Sequence, residues 1–177
     1  MSNKRKIITN SFIKLISEKS IVQITVEQII QEANVSKSTF YRAFHDKYDL
    51  MNYLFKEQSE FVYKNNPHLD NWRERTIDLL LYYKENAKIY KNIVKYEDQN
   101  SHFDFLYQLS YEDLYNHIYV LTGKKNLSPE LTFALKVHSN TCAYAITEWI
   151  KNDCNYAATE LVSLIELCLP CNLKPYF

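Results

Sequence analysis

The sequence predicts an all-α protein, and three observations carry that expectation. Among 177 residues there are one glycine and four prolines, too few turn formers for a fold of many short strands. Apolar residues recur at i, i+3, i+4 and i+7 through several long segments instead of alternating. Those segments are rich in Leu, Ile, Lys and Glu, which serve helices well. The hydrophobic share of 46% is ample for a core, and 24% charged residues alongside it exclude a disordered chain. The length suits one compact domain or a small domain joined to a larger one.

From Asn3 to about Lys19, the residues Ile8, Phe12, Leu15 and Ile16 fall on one helical face. The connector SIVQI follows. Thr25-Val-Glu-Gln28 then has the spacing of a capping box, in which the hydroxyl and the side-chain amide each satisfy an orphan backbone group. It opens a helix that buries Val26, Ile29, Ile30 and Ala33 and ends at Asn34, a residue that tolerates the left-handed turn conformation. Ser36 caps the next short helix, to about His45. Phe40, Ala43 and Phe44 form its inner face, Ser38, Arg42 and His45 lie opposite, and Lys37, Thr39 and Tyr41 flank them. Two short helices around a three-residue turn make a helix-turn-helix.

A longer helix is expected from about Asp46 to Lys64, stopping at NNPHLDN. Others are expected at roughly 71–95 with a break near 86–88, then 102–121, 129–152 and 156–169, with boundaries at YEDQNSH, TGKKNLSP and KNDCN. Ser128-Pro129-Glu130 combines a capping hydroxyl, proline at the first helical position and an acid in the first turn. The expected organisation is a head at 1–47 and a helical body at 48–177, joined through the helix at 46–64.

Charge separates the two parts. Residues 1–47 hold eight Lys/Arg against four Asp/Glu, a formal +4, so the body carries −4 within a net charge of zero. A basic head on an acidic body points to a polyanion as partner of the head. Its second short helix offers the right chemistry for a DNA groove. The phenylalanines anchor it, Lys37 and Arg42 reach guanine or phosphate, Ser38 and Thr39 approach backbone or bases, and the Tyr41 hydroxyl meets a phosphate. Lys47, with the amides that open its helix, offers a further phosphate site. No secretory signal opens the sequence and no run approaches the ~20 apolar residues of a membrane span, which predicts a cytoplasmic chain with reduced thiols and no membrane partner.

The stretch ITVEQIIQEANVSKSTFYRAFHDKYDLM resembles the DNA-binding signature of the TetR family of bacterial transcriptional regulators. The order of parts agrees: the threonine-capped helix, Ala33-Asn34-Val35-Ser36, Thr39-Phe40-Tyr41, the Phe44-to-Lys47 corner and Asp49-Leu50. The resemblance is specific over about residues 7–55 and architectural beyond. It implies phosphate contacts from Thr25, Tyr41 and Lys47, and groove contacts from Lys37, Ser38, Thr39 and Arg42. Ser36 and His45 complete the candidate DNA-binding set. Asn34 departs from the family's usual glycine, and Arg42-Ala43 from its frequent aromatic or histidine pair, which leaves the operator sequence open.

The resemblance also implies a homodimer and an effector site in the body. The body is tyrosine-rich, which suits a small, partly apolar or aromatic ligand with a polar tip. The candidate effector residues are Tyr83, Phe103, Tyr107, Tyr111, His117, His138 and Tyr144. The last two helices carry more apolar surface than one short domain covers, so they are expected to pair with their copies in a second subunit. Trp149, Leu161, Leu164, Ile165 and Cys168 are the candidate interface. A two-fold dimer presents its recognition helices about 34–36 Å apart, matching a near-palindromic double-stranded operator.

Cys168-Leu-Pro-Cys171 and the His138/Cys142 pair have spacings used in redox or metal sites, but both read first as packing, and no metal or cofactor is expected. The sequence lacks G-x-S-x-G, H-E-x-x-H, a phosphate loop and a dinucleotide fingerprint, so no enzyme is expected. The leading expectation is a repressor relieved by a small molecule. The alternative is a DNA-binding co-activator whose body docks a protein.

Overall fold

A computed structural model of the chain describes residues 3–65, 71–94 and 102–177. Among these residues there are nine α-helices and no strand. They are α1 Asn3–Glu18, α2 Val26–Ala33, α3 Lys37–Ala43, α4 Lys47–Lys64, α5 Trp72–Glu85, α6 Ala87–Val94, α7 His102–Thr122, α8 Pro129–Lys151 and α9 Ala158–Leu167. Two 3-10 turns, Ile21–Gln23 and Cys171–Tyr176, complete the order. The boundaries expected at NNPHLDN and YEDQNSH fall largely outside the described residues.

Helix starts follow local capping chemistry. Thr25 and Gln28 form the expected box, Ser36 caps α3, Asn71 caps α5, and Ser128 with Pro129 opens α8. The break between α5 and α6 falls at Asn86, whose side-chain amide donates to the Tyr82 carbonyl 2.9 Å away and competes with the helical ladder. The last helix begins later than expected, at Ala158. Asp153 and Cys154 both turn left-handed (φ 57° and 53°), and the Trp149 indole N–H donates to the Tyr156 carbonyl at 3.1 Å, which holds this stretch as a loop.

A continuous apolar core runs from the head into the body. Ile8, Phe12, Phe40 and Phe44 meet Leu50, Met51, Leu54 and Phe55 of α4, and these in turn join Leu80, Tyr83, Tyr90 and Ile146. A second tie joins head and body beside α4: α6 packs on α1, with the Asn92 amide donating to the Ile16 carbonyl at 2.8 Å. Head and body therefore share one core, and α3 is referenced to the whole molecule. At the far end α7 lies along α8 over Leu114, Ile118, Ala134 and Leu135, closed off by Leu173 of the last 3-10 turn. No helix among the described residues is long and apolar enough to cross a membrane.

Candidate nucleic-acid interface

The turn between α2 and α3 is built by Asn34, whose backbone sits at φ 48°, ψ 52°. This left-handed residue stands in for glycine, and the Val35 amide closes the turn on the Ile30 carbonyl at 3.2 Å. Ser36 then opens α3: its hydroxyl accepts from the Thr39 amide at 3.2 Å and touches the Ser38 and Thr39 hydroxyls at 2.9 and 2.8 Å. Removing that cap by Ser36→Ala is expected to cost about 1 kcal/mol, read from the midpoint of urea unfolding.

Two rings seat the helix. Phe40 is fully buried and Phe44 nearly so, with ring centroids 6.1 Å apart, and Tyr41 meets Phe40 edge-on at 5.4 Å. On the opposite side Lys37, Ser38, Tyr41 and Arg42 are exposed, with Thr39 half-buried at the edge. The Lys37 ammonium lies 6.0 Å from the centre of the Tyr41 ring. One face is therefore apolar and fixed, and the other offers cations and hydroxyls to solvent.

Three expectations change at the corner after α3. The helix ends at Ala43, because Phe44 is extended (φ −144°, ψ 140°), so His45 lies beyond the helix and not on its outer face. The amides that open α4 have an acceptor within the chain: Tyr48 and Asp49 both donate to Asp46 Oδ1 at 2.8 Å. Burial alone would raise the Asp46 carboxyl pKa, but the Asp49 amide, the His45 ring and the Tyr48 amide together hold it below the usual value. Lys47, expected to face a phosphate, turns inward, with its ammonium 2.8 Å from the carbonyl oxygens of both Ile21 and Ile24.

One anchor of the recognition helix is invisible to motif reading. The Arg5 guanidinium of α1 donates to the Ala43 carbonyl at 3.0 Å and lies over the Phe44 and Tyr53 rings at 5.4 and 5.2 Å. It caps the C-terminal end of α3 while covering its aromatic seat. Its sequence neighbours Lys4 and Lys6 show only a basic run, which carries no sign of this contact.

The candidate effector residues do not converge. Tyr83 is buried against Tyr90 and His102, inside an aromatic cluster that includes Phe55 and Phe105. Phe103 is half-buried near the start of α7. Tyr107 and Tyr111 stack with Tyr115 along α7, because their i, i+4, i+8 spacing places them on one face. His117 Nε2 lies 2.9 Å from the Tyr176 carbonyl, while His138 is buried against Trp72 and Phe177. Tyr144 is 62% exposed on the outer side of α8. The small cavity among Tyr63, Trp72, Leu106, Ser110, Asp113 and Cys142 measures about 30 Å3.

The candidate interface residues do meet. Trp149, Leu161 and Ile165, buried within the protomer, form the floor of a groove of about 400 Å3 between α8 and α9, with Leu164, Cys168 and Tyr144 exposed along it. His138 Nε2 is 3.4 Å from Cys142 Sγ, and burial pushes that thiol up to about 12. No third His, Cys, Asp or Glu among the described residues completes a metal-binding group with them.

Comparison with known proteins adds a family and a fold. Residues 8–54 match the family described as bacterial regulatory proteins, tetR family, and residues 70–169 match a transcriptional regulator C-terminal region. Over 122 residues the chain is 29% identical to the HTH-type dhaKLM operon transcriptional activator DhaS of Lactococcus lactis subsp. lactis (strain IL1403). That match spans 69% of this chain and 64% of the relative, less than two thirds of its length. The solved dihydroxyacetone kinase operon activator DhaS superposes with a TM-score of 0.68 at 22% identity, covering 99% of this chain and 98% of that one. A TetR transcriptional regulator from Streptococcus agalactiae 2603V superposes at 0.65 with 19% identity, over 94% and 93% of the two chains. At such identities the shared property is the fold.

Proposed function

The chain belongs to the TetR family of bacterial transcriptional regulators, and on that premise we propose that it grips a near-palindromic operator as a homodimer, through the outer face of α3. The observation that carries this reading is the two-sidedness of α3: Phe40 and Phe44 are locked into the head while Lys37, Ser38, Tyr41 and Arg42 face outward. A helix-turn-helix places its second helix in the major groove seated in this way. Thr25 belongs to the same contact surface as a family-type phosphate ligand, and Ser36 and Thr39 lend hydroxyls at the start of the helix.

The second subunit is assigned to the α8–α9 face. Its groove floor is apolar, and Tyr144 and Leu164, which line it, are 62% and 42% exposed. Exposed apolar side chains gathered in a strip along an apolar groove mark a surface for a partner. Pairing the strip with its copy covers it and sets two α3 helices on one duplex.

Two control inputs remain from the sequence. A repressor relieved by a small molecule needs an enclosed site, typically about 300–1,000 Å3. The cavity of about 30 Å3 among α4, α5, α7 and α8 is sized for about one water. The activator named in the comparison is consistent with the second input, an activator-type regulator whose helical body docks a protein.

The test is selection of duplexes from a random pool by the full-length protein, followed by sedimentation of the complex and a reporter fused to the selected site. The expected result is an inverted repeat bound by two chains, with reporter output rising when the protein is present. An asymmetric site bound by one chain would contradict the dimer, and a falling output would return the repressor reading. On the selected duplex, Arg42→Ala is expected to reduce discrimination at one base position by about 1–3 kcal/mol, measured by competition among single-base variants.

A further inference from the structure

The last turn of α1 releases a carbonyl from its own helix. The Lys19 amide still donates to the Leu15 carbonyl at 3.1 Å, but the Ser20 amide, next in the ladder, turns to Gln23 Oε1 at 3.2 Å. The Ile16 carbonyl oxygen therefore lacks the donor that a continuing helix would give it. The body supplies one: the Asn92 side-chain amide of α6 donates to it at 2.8 Å. A carbonyl only accepts, so the NH2 side of the Asn92 amide faces it. Asn92 is half-buried, and Ile16 lies fully buried in the core that Ile93 and Val94 of α6 share.

The same helix also reaches the other way. Lys91 pairs with Asp153 in the turn between α8 and α9, and Asn152, Asn155 and Tyr156 of that turn line the groove assigned to the second subunit. Two adjacent residues of α6 thus touch the head and the subunit face. The Lys91–Asp153 pair is exposed and adds little energy, so the buried amide is the firmer of the two ties.

This placement bears on how two heads meet one duplex. A head carried by α4 alone could bend and turn about that helix. A second tie, from α6 to α1, lies beside α4 and removes that freedom. In a dimer paired through α8 and α9, the separation of the two α3 helices depends on how rigidly each head is mounted. One added base pair moves a half-site by about 3.4 Å and turns it by about 34°. Discrimination between such steps requires a rigid mount.

We propose that Asn92 is a positioning residue for operator spacing: by capping the end of α1 from α6 it fixes the head on the body, and with it the half-site separation that the dimer accepts. This role rests on the homodimer reading above and requires no contact between Asn92 and DNA.

The experiment compares full-length wild type, Asn92→Ala, Asn92→Asp and Ile77→Val. Asn92→Asp keeps the size of the side chain and removes the donor, and Ile77→Val trims the buried core of α5 as a control for general destabilisation. Anisotropy at fixed salt measures affinity for the selected inverted repeat and for duplexes with one or two base pairs inserted between its half-sites. The temperature is one at which circular dichroism shows every variant folded.

Wild type is expected to bind the inserted duplexes about tenfold or more weakly than the selected repeat. Both Asn92 variants are expected to bind the selected repeat about fivefold more weakly and to lose most of the penalty for insertion. Ile77→Val is expected to melt lower yet keep that penalty. An unchanged insertion penalty in both Asn92 variants overturns the positioning role, and so does an equal loss of the penalty in Ile77→Val, which would make it a matter of stability alone. Wild type that binds no duplex, or binds every spacing alike as one chain, would instead sink the homodimer reading, and the role of Asn92 with it.

Discussion

Phe40→Ala is expected to lower the stability of the folded chain by about 3–5 kcal/mol and to abolish operator binding. The ring has no exposed surface and packs beside Phe44 in the core shared by head and body. Its removal forfeits burial and leaves a cavity that the surrounding helices only partly fill. The loss falls on a weak element: α3 has seven residues, far below the length at which an isolated helix persists in water, so its packing holds it together. Urea unfolding monitored by circular dichroism checks the magnitude. Phe40→Leu, which keeps most of the volume, should lose about 1 kcal/mol and retain binding. Equal stability of Phe40→Ala and wild type would mean that α3 is not seated by this ring.

Acid is expected to destabilise the protein by about 4 kcal/mol between pH 7.5 and pH 5, about 2 from each of two buried histidines. His102 is enclosed by the Phe55, Tyr83 and Tyr90 rings at 4.6, 5.7 and 5.6 Å, and neither ring nitrogen has a hydrogen-bond partner among the described residues. Burial pushes its pKa down to about 3, and burial likewise pushes His138 down to about 4. Both return to about 6.5 in the unfolded chain. Between the folded and unfolded values, the unfolded state binds more protons, so stability falls as pH drops below about 6.5 and is insensitive to these groups above about 7.5. Urea unfolding at the two pH values measures the difference. His102→Leu removes two orphaned nitrogens as well as the titration, so it should roughly halve the acid loss without weakening the protein at neutral pH. Identical stability at pH 7.5 and 5 would contradict the account of both sites.

What could be read from the residues alone was set by chemistry within a few positions. The Thr25–Gln28 box, the left-handed Asn34, the Ser36 and Ser128 caps and the break near Asn86 all depend on neighbours three or four residues away. The Asp46 cap is equally local, and an Asp immediately before a helix is a sufficient signal for it. Lys47 and Arg5 were beyond reach, since their acceptors lie 23–26 and 38 residues away and depend on how α1, α3 and α4 cross.

The body shows the same limit. Tyrosine at helical spacing cannot tell a pocket wall from a stacked ladder, and Tyr107 and Tyr111 form a ladder. Apolar excess on the last two helices was legible, but not its division. Trp149, Leu161 and Ile165 are already covered within one protomer, whereas Leu164 and Cys168 remain on the surface beside them.

The most direct test of the central claim, that the outer face of α3 is the surface that meets DNA, is the salt dependence of duplex binding by wild type and by the double variant Lys37→Ala/Arg42→Ala. Both side chains are exposed, so the variant should melt like wild type. Wild-type affinity is expected to fall linearly with log salt, by about 0.9 for each phosphate neutralised, and the variant to bind at least about a hundredfold more weakly with a shallower slope. Salt-insensitive binding, or a folded double variant that holds the duplex as wild type does, would contradict it.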